Sequence, residues 1–439
     1  MTMLMLATAV AMAAAVARAG AIPDEAWSYV DVRDDARMFY WLMGKQGAGR
    51  ESAPLVLWLQ GGPGGSSTGF GNFGEIGPLD VSLQPRAQTW LRDASLLFID
   101  NPVGTGYSYV SDKAALARNE SQIVADLLVV LGAFVAKHPP FATLPLYVFS
   151  ESYGGKMTAS LGVGIVDAVR GGKLRVNLAG VALGDSWVSP IDYVAAWATF
   201  LEVNSQIDAV GASRIAVEVN KTRALIAAGR WKEATSAWGD VEQEVETNSC
   251  GVNFYNIATV RASCDNKNRA ATLGERLQAR ALAYVQRHSN ARSAAVGEPD
   301  LGALMNGQIK KKLGIPDDVT WGAQAGDVFE ALSGDFMRPV VAAVDELLAR
   351  GVKVTVYQGA VDLICCSPAT RAWMSRLTWP QLPKFNAAPR TAIVADNHAL
   401  AFVKRYRNLA YIDVMNAGHM VPADQPVAAR AVLHDVLSH

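Results

Sequence analysis

Three residues far apart in the chain have the side chains that nucleophilic catalysis requires: Ser152, Asp362 and His419. A serine hydroxyl attacks well only when a general base within hydrogen-bond reach takes its proton, and that base works best when a carboxylate orients it. Each of the three follows an apolar run: YVFSE before Ser152, VTVYQGAV before Asp362 and AYIDVMNAG before His419. If these runs are parallel strands, all three side chains emerge at the carboxyl edge of one sheet, where open α/β sheets place their sites. The chemistry implied is hydrolysis or transfer of an acyl group through a serine ester.

Singly, each residue has a plainer explanation, since a serine after a strand is often a cap and an aspartate in a glycine-rich loop is often a turn former. Their order, Ser, Asp, His, is what singles them out, because it is the order of α/β-hydrolases. In YVFSESYGGKM, Tyr147 to Met157, Ser150 still belongs to the strand. Ser152 is followed by Tyr153, Gly154 and Gly155, and the two glycines give the chain room to turn back into a helix, as a nucleophile elbow needs. Ser150 stands where the elbow motif G-x-S-x-G has its first glycine. His398, after TAIVADN, is the late-chain rival of His419 and lacks the glycine turn that would expose it; His288, His434 and His439 lie in polar or terminal helical surroundings.

The stretch LVLWLQGGPGGSSTGFGNFGEIGPL supplies backbone donors. Glycines just after a central strand let N–H groups face a reacting carbonyl, so Gly62 with the N–H of Tyr153 can form an oxyanion hole. A phosphate loop is the rival reading, but the G-x-x-x-x-G-K-[ST] lysine is absent and Pro63 removes a donor.

These groups need a scaffold. WSYVDV and MFYWLM, separated by a polar run, read as an antiparallel hairpin. PLVLWLQGG, SLLFIDNP, PLYVFSES and NLAGVALGD are short apolar runs ending in turn formers, as expected of strands buried on both faces. SQIVADLLVVLGAFVAKH and KMTASLGVGIVDAVRGG between and after them have helical length and spacing. The alternation predicts a mostly parallel central sheet flanked by helices, the α/β-hydrolase fold. From Trp187 to Asp335 the alternation lapses and the segments look helical, which predicts an inserted helical cap over 187–335, with core parts at 20–186 and 336–439.

The chain has 439 residues, half of them apolar, with a formal net charge of -1. That balance excludes the basic stripe of a nucleic-acid binder and the composition of a disordered chain. Residues 1–19 are almost wholly apolar before Arg18, and Ala17-Arg18-Ala19 fits a secretory cleavage site, although a basic residue near Met1 is missing. The stretch is short for a bilayer span, which needs roughly 20 residues, so the expectation is a cleaved signal and a soluble mature protein without a membrane span. Of four cysteines, Cys250 and Cys264 could close a small disulfide loop, whereas the adjacent Cys365 and Cys366 suit no ordinary mutual bridge. Nothing in the spacing suggests a metal site or a cofactor. Asn119-Glu-Ser and Asn220-Lys-Thr are glycosylation acceptors in a host with that pathway.

Six blocks, WLQGGPGGSS, EIGPL, FIDNPVGTGYSY, SESYGGK, YQGAVDLIC and NAGHMVPADQP, resemble in order the signatures of the serine carboxypeptidase family, from Trp58 to Pro426. The details SESYGGK and ALGDSWVSP resemble its retinoid-inducible branch. The resemblance implies that Ser152, Asp362 and His419 are the triad and that Gly62 and Tyr153 are the oxyanion donors. It also implies that Glu75 and Glu151, with the amide of Gln60 and Trp58 behind it, bind the C-terminal carboxylate of a peptide. Physically this is coherent: two carboxyls held close cannot both ionise cheaply, so one stays protonated at mildly acidic pH and can donate to a carboxylate. Gln60 replaces a common asparagine of the family. At Gly65 a common cysteine is absent, so the core-to-cap disulfide of the family cannot form there. Cys365 matches a family cysteine near the acid, and Met420 a residue of the leaving-group pocket.

The resulting expectation is a secreted, periplasmic or lysosome- or vacuole-like carboxypeptidase acting on peptide or protein C-termini, fastest at acidic pH, with no cofactor. Acyl transfer with the same triad, or a catalytically weak binding protein that keeps the fold, are the alternatives.

Overall fold

The structure is a computed structural model and describes residues 21–259, 279, 300–395 and 397–439. The expected signal segment, His288 and Cys264 lie outside the described residues. Cys250 is disulfide-bonded, and Cys365 and Cys366 are buried free thiols.

Eleven strands form one sheet. They are β1 (Glu25–Arg33), β2 (Ala36–Met43), β3 (Leu55–Leu59), β4 (Ser95–Ile99), β5 (Tyr109–Val110), β6 (Pro145–Ser152), β7 (Asn177–Ser186), β8 (Lys353–Gly359), β9 (Arg390–Ala395), β10 (His398–Tyr406) and β11 (Leu409–Val414). The spatial order is β1-β2-β4-β3-β6-β7-β8-β11-β10-β9, with β5 paired to β2. The six central strands from β4 to β11 pair in parallel. The hairpin β1–β2 and the pair β10–β9 extend the sheet antiparallel at its two ends.

Burial explains the continuous apolar runs. Every residue of β3, β4 and β11 is buried, and alternate residues enter two separate apolar layers: Leu55, Leu57 and Leu59 on one face, Val56 and Trp58 on the other. A strand covered on both faces has no polar side to show. Helices α1 (Glu120–Lys137) and α2 (Gly154–Arg170) pack on one face through residues such as Leu127, Phe134 and Leu161. The C-terminal helix, Pro426–Ser438, covers the other through Val432 and Leu433.

Among the described residues between β7 and β8 no strand occurs, only helices, turns and isolated bridges. The longest of these helices are α3 (Pro190–Val203), α4 (Ala209–Ala227) and α5 (Trp231–Asn248). Trp187, Trp238 and Phe336, drawn from this stretch and its ends, cluster over the carboxyl edge of the sheet, with Trp238 and Phe336 ring centroids 4.6 Å apart.

Candidate active site

The register of the parallel strands brings their carboxyl ends level. Leu59 of β3 pairs with Ser150, Ser152 of β6 with Ser186, and Gly359 of β8 with Val414 of β11. The loops that follow these ends therefore meet at one edge, and the sequence-predicted residues meet with them.

Ser152 ends β6 with φ 61°, a left-handed conformation that a non-glycine residue adopts only when its surroundings impose it. Helix α2 begins two residues later, and the glycines after Ser152 explain how it fits. A Cβ on Gly154 would stand 2.2 Å from the Leu59 carbonyl oxygen, and one on Gly155 2.0 Å from Ser186 Oγ. Ser150 is fully buried inside β6 and its hydroxyl donates to the Ala182 carbonyl at 3.4 Å, so the first elbow position accepts a serine without opening the strand.

His419 and Asp362 form a buried pair: His419 Nδ1 lies 2.9 Å from Asp362 Oδ2, and the two residues are 2% and 0% exposed. Asp362 is held by the backbone. Its Oδ1 accepts from Ile364 N at 2.9 Å, and Oδ2 accepts from Cys365 N at 3.1 Å and from Gln358 Nε2 at 3.2 Å. Ligand-type atoms of Asp362, Cys365 and His419 all lie within 4.8 Å of one another. Burial pushes the Cys365 thiol well above its usual pKa, which keeps it a neutral thiol beside the pair. His398, by contrast, is an exposed residue at the start of β10, paired with Ala395 near the sheet edge.

Ser152 and His419 line one solvent-open cavity, shared with Gln60, Gly62, Glu151 and Met420. Gly62 has φ 115°, a region closed to L side chains. Gly61 packs so tightly on the elbow that a Cβ there would lie 2.5 Å from Ser152 Cβ and 2.8 Å from Tyr153 N. The glycine loop and the first turn after Ser152 therefore face the same space. Tyr153 itself is buried, its hydroxyl donating to Asp335 Oδ2, which also receives Lys156 Nζ, both at 2.9 Å.

Behind the cavity wall lies a chain of polar groups. Trp58 Nε1 donates to Gln60 Oε1 at 2.7 Å, and Gln60 Nε2 donates to Glu151 Oε1 at 2.8 Å. Because an indole nitrogen can only donate, the Trp58 contact sets which end of the Gln60 amide faces Glu151. Glu75, on the irregular helix Ser67–Ile76, is buried beside Glu151. Both Glu75 oxygens and Glu151 Oε2 lack a donor among the described residues; a proton between the two carboxyls would satisfy one oxygen of each. Burial raises the Glu75 carboxyl to about 7; burial, followed by the charge of Glu75, raises Glu151 well above the ordinary range.

Some of the site carries no signature at the sequence level. Asp185, at the end of β7 with φ 40°, accepts from Gly359 N at 2.8 Å and from Gln358 Nε2, the same amide that reaches Asp362. Burial and the neighbouring Asp362 charge hold its carboxyl well above the usual range. Tyr255, Trp187, Trp238, Phe336 and Gln324 line the cavity from the stretch between β7 and β8 and its ends. They have no spacing that ties them to the triad; only ALGDSWVSP, which contains Asp185 and Trp187, offered a hint.

A family profile described as serine carboxypeptidase matches residues 22–439. A human protein named retinoid-inducible serine carboxypeptidase is 46% identical over 407 residues, which cover 91% of this chain and 88% of the relative. Serine carboxypeptidase-like 51 of Arabidopsis thaliana is 39% identical, covering 94% and 92%. In three dimensions the chain is similar in fold to Kex1(delta)p, a prohormone-processing carboxypeptidase from Saccharomyces cerevisiae, with a TM-score of 0.77 at 20% identity, covering 95% of this chain and 92% of that one.

Proposed function

The chain belongs to the serine carboxypeptidase family and is a serine-type carboxypeptidase, and from that premise we propose how its residues divide the work. Ser152 Oγ attacks the carbonyl carbon of the last peptide bond while His419 takes its proton. Asp362 holds His419 in the tautomer that leaves Nε2 free to accept and steadies the imidazolium that forms. The oxyanion receives the N–H groups of Gly62 and Tyr153. Collapse breaks the C–N bond, His419 returns the proton to the leaving amine, and water then hydrolyses the acyl-enzyme by the same route.

Glu75 and Glu151 share one proton at acidic pH and offer it to the substrate's terminal carboxylate. Gln60 Nε2 carries two hydrogens; one goes to Glu151 and the second is assigned to that carboxylate. Exopeptidase specificity follows, because a mid-chain amide brings no negative charge to this corner. The observation that supports the reading is that Glu151, buried beside Glu75, lines the same cavity as Ser152 and as His419, which Asp362 holds from behind. Such a proton sharer works best where the medium is mildly acidic, which fits a secreted or lysosome- or vacuole-like setting. None of the described helices is long and apolar enough to cross a membrane.

Mass spectrometry of a mixed peptide pool tests this. The active protein should produce ladders shortened one residue at a time from the C-terminus, absent with Ser152→Ala and from C-terminally amidated peptides. Internal cuts, or equal loss from amidated peptides, would overturn the assignment.

A further inference from the structure

The loop that carries Gly62 is built to be loose. Gly61, Gly62, Gly64 and Gly65 surround a single proline, and Gly62 and Gly64 have φ of 115° and 100°. Glycines lose more conformational freedom on ordering than other residues, so such a loop does not hold a donor in place by its own stiffness. Oxyanion stabilisation demands the opposite, a donor fixed before charge develops.

The missing stiffness comes from a strand-like strap, residues 321–325, that runs antiparallel to the loop. Ser66 N donates to the Ala323 carbonyl at 3.0 Å and Ala325 N to the Gly64 carbonyl at 2.8 Å. Between them Gly65 and Gln324 stand opposite each other as an isolated bridge. Trp321 adds an indole donor to Ser66 Oγ at 2.9 Å. The strap's backbone bonds grip Gly64 and Ser66, and Gly65 N donates to the Gly61 carbonyl at 2.9 Å across the base of the loop; Pro63, at its tip, is reached from the strap by a side chain. Gln324 Nε2 donates to the Pro63 carbonyl at 2.5 Å. The same amide lies against Gly62, where a Cβ would sit 2.6 Å from Nε2 and 2.7 Å from Oε1. Gln324 is 7% exposed and lines the catalytic cavity.

We propose that Gln324 is a positioning residue for the oxyanion hole: its amide, bonded to the Pro63 carbonyl and packed on Gly62, holds the Gly62 N–H in place opposite Tyr153. The proposal rests on the reading of Gly62 as an oxyanion donor. It places the effect in the acyl-transfer step, because the hydrogen bonds that orient Gln60 and Glu151 run to Trp58 and to each other.

Two variants test it. Gln324→Met keeps length and volume and removes the donor; Gln324→Glu keeps shape and donates to Pro63 only when protonated. With Gln324→Met, kcat should fall about tenfold or more, by analogy with the cost of losing an oxyanion donor, while KM stays near wild type. Affinity for a peptide aldehyde, which forms a tetrahedral adduct, should fall in step with kcat, and affinity for the product peptide should not. Unchanged kcat, or equal losses of aldehyde and product affinity, overturns the proposal.

If Gln324→Met does not fold, Gln324→Glu decides: its rate relative to wild type should be highest at acidic pH and fall as the pH rises, whereas a ratio constant across pH overturns the inference. The other titratable groups at the site, Glu151, His419 and Tyr255 on the cavity with Glu75, Asp185 and Asp362 behind, are common to both proteins. Failure of a fluorophosphonate to label Ser152 in the wild type would sink the underlying reading. A labelled, active wild type with an indifferent Gln324→Met variant sinks only the role of Gln324.

Discussion

The imidazole of His419 lies on the ring of Tyr255, with centroids 4.8 Å apart and 18° between the planes, and His419 N donates to the Tyr255 carbonyl at 2.7 Å. The same short segment reaches the other partner of the base, since the Phe254 carbonyl accepts from Leu363 N and Ile364 N, both at 3.1 Å. Removing the ring leaves these main-chain bonds intact. Tyr255→Ala should therefore lower kcat on a simple ester by roughly two- to tenfold, the worth of one stacked aromatic contact, and Tyr255→Phe should restore it. An ester kcat unchanged in Tyr255→Ala would show that the stacking does not order the base.

The carboxyl pair makes a pH prediction whose sign is definite. Burial raises Glu75 to about 7 and, with the Glu75 charge, raises Glu151 well above the ordinary range, whereas in the unfolded chain both titrate near 4.3. The folded state thus binds the shared proton more tightly. Its contribution to stability is complete below the unfolded value and is lost as pH rises through the folded one. On the proposed roles, kcat/KM for free-acid peptides should fall as pH passes about 7, while ester substrates with blocked C-termini lose less. Glu75→Gln substitutes a permanent donor for the shared proton and should flatten the difference; identical profiles for the two substrate classes in the wild type would exclude the pair as the titrating element.

Asp185 shares the Gln358 amide with Asp362, and burial together with the Asp362 charge favours its neutral form. Asp185→Asn retains an acceptor for Gly359 N and should leave kcat at acidic pH within a few-fold of wild type. Asp185→Ala leaves that N–H and one of the two Gln358 amide hydrogens without an acceptor, at a cost of about 1–3 kcal/mol, and should lower both the unfolding midpoint and kcat. Should Asn prove as damaging as Ala, the charge of Asp185 matters and its neutrality is refuted.

The two glycines after Ser152 differ in what blocks them. Gly155→Ala meets Ser186 Oγ and Cβ, at 2.0 and 2.1 Å, and such overpacking costs about 1–3 kcal/mol. Adding Ser186→Gly should recover much of that loss. No side-chain change can do the same for Gly154→Ala, which meets the main-chain oxygen of Leu59 at 2.2 Å. Thermal unfolding of the single and double variants measures both, and an absence of recovery in the Gly155→Ala, Ser186→Gly pair would show that the contact is not the cause.

The parallel strands were legible because strands buried on both faces must be apolar throughout, so YVF before Ser152 and VTVY before Asp362 announced themselves. The edge pair β9–β10 was not: Arg390, Thr391 and Ala392 are exposed, and an edge strand free on one side carries no comparable run. The meeting of Ser152, Asp362 and His419 at one sheet edge was legible for a similar reason, since each follows a strand and a turn that leaves a mark in glycines.

What the linear chain determined by itself is the set of residues whose local backbone demands are strict: the elbow after Ser152, the glycine loop at Gly62 and the turn before His419. Only the tertiary structure decided which groups hold them. Gln324, Tyr255 and Asp185 act through contacts made across 261, 164 and 174 positions of chain, to Pro63, His419 and Gly359. Such contacts require nothing special of the residue's own neighbours, so they exist in the packed molecule and no spacing in the sequence marks them.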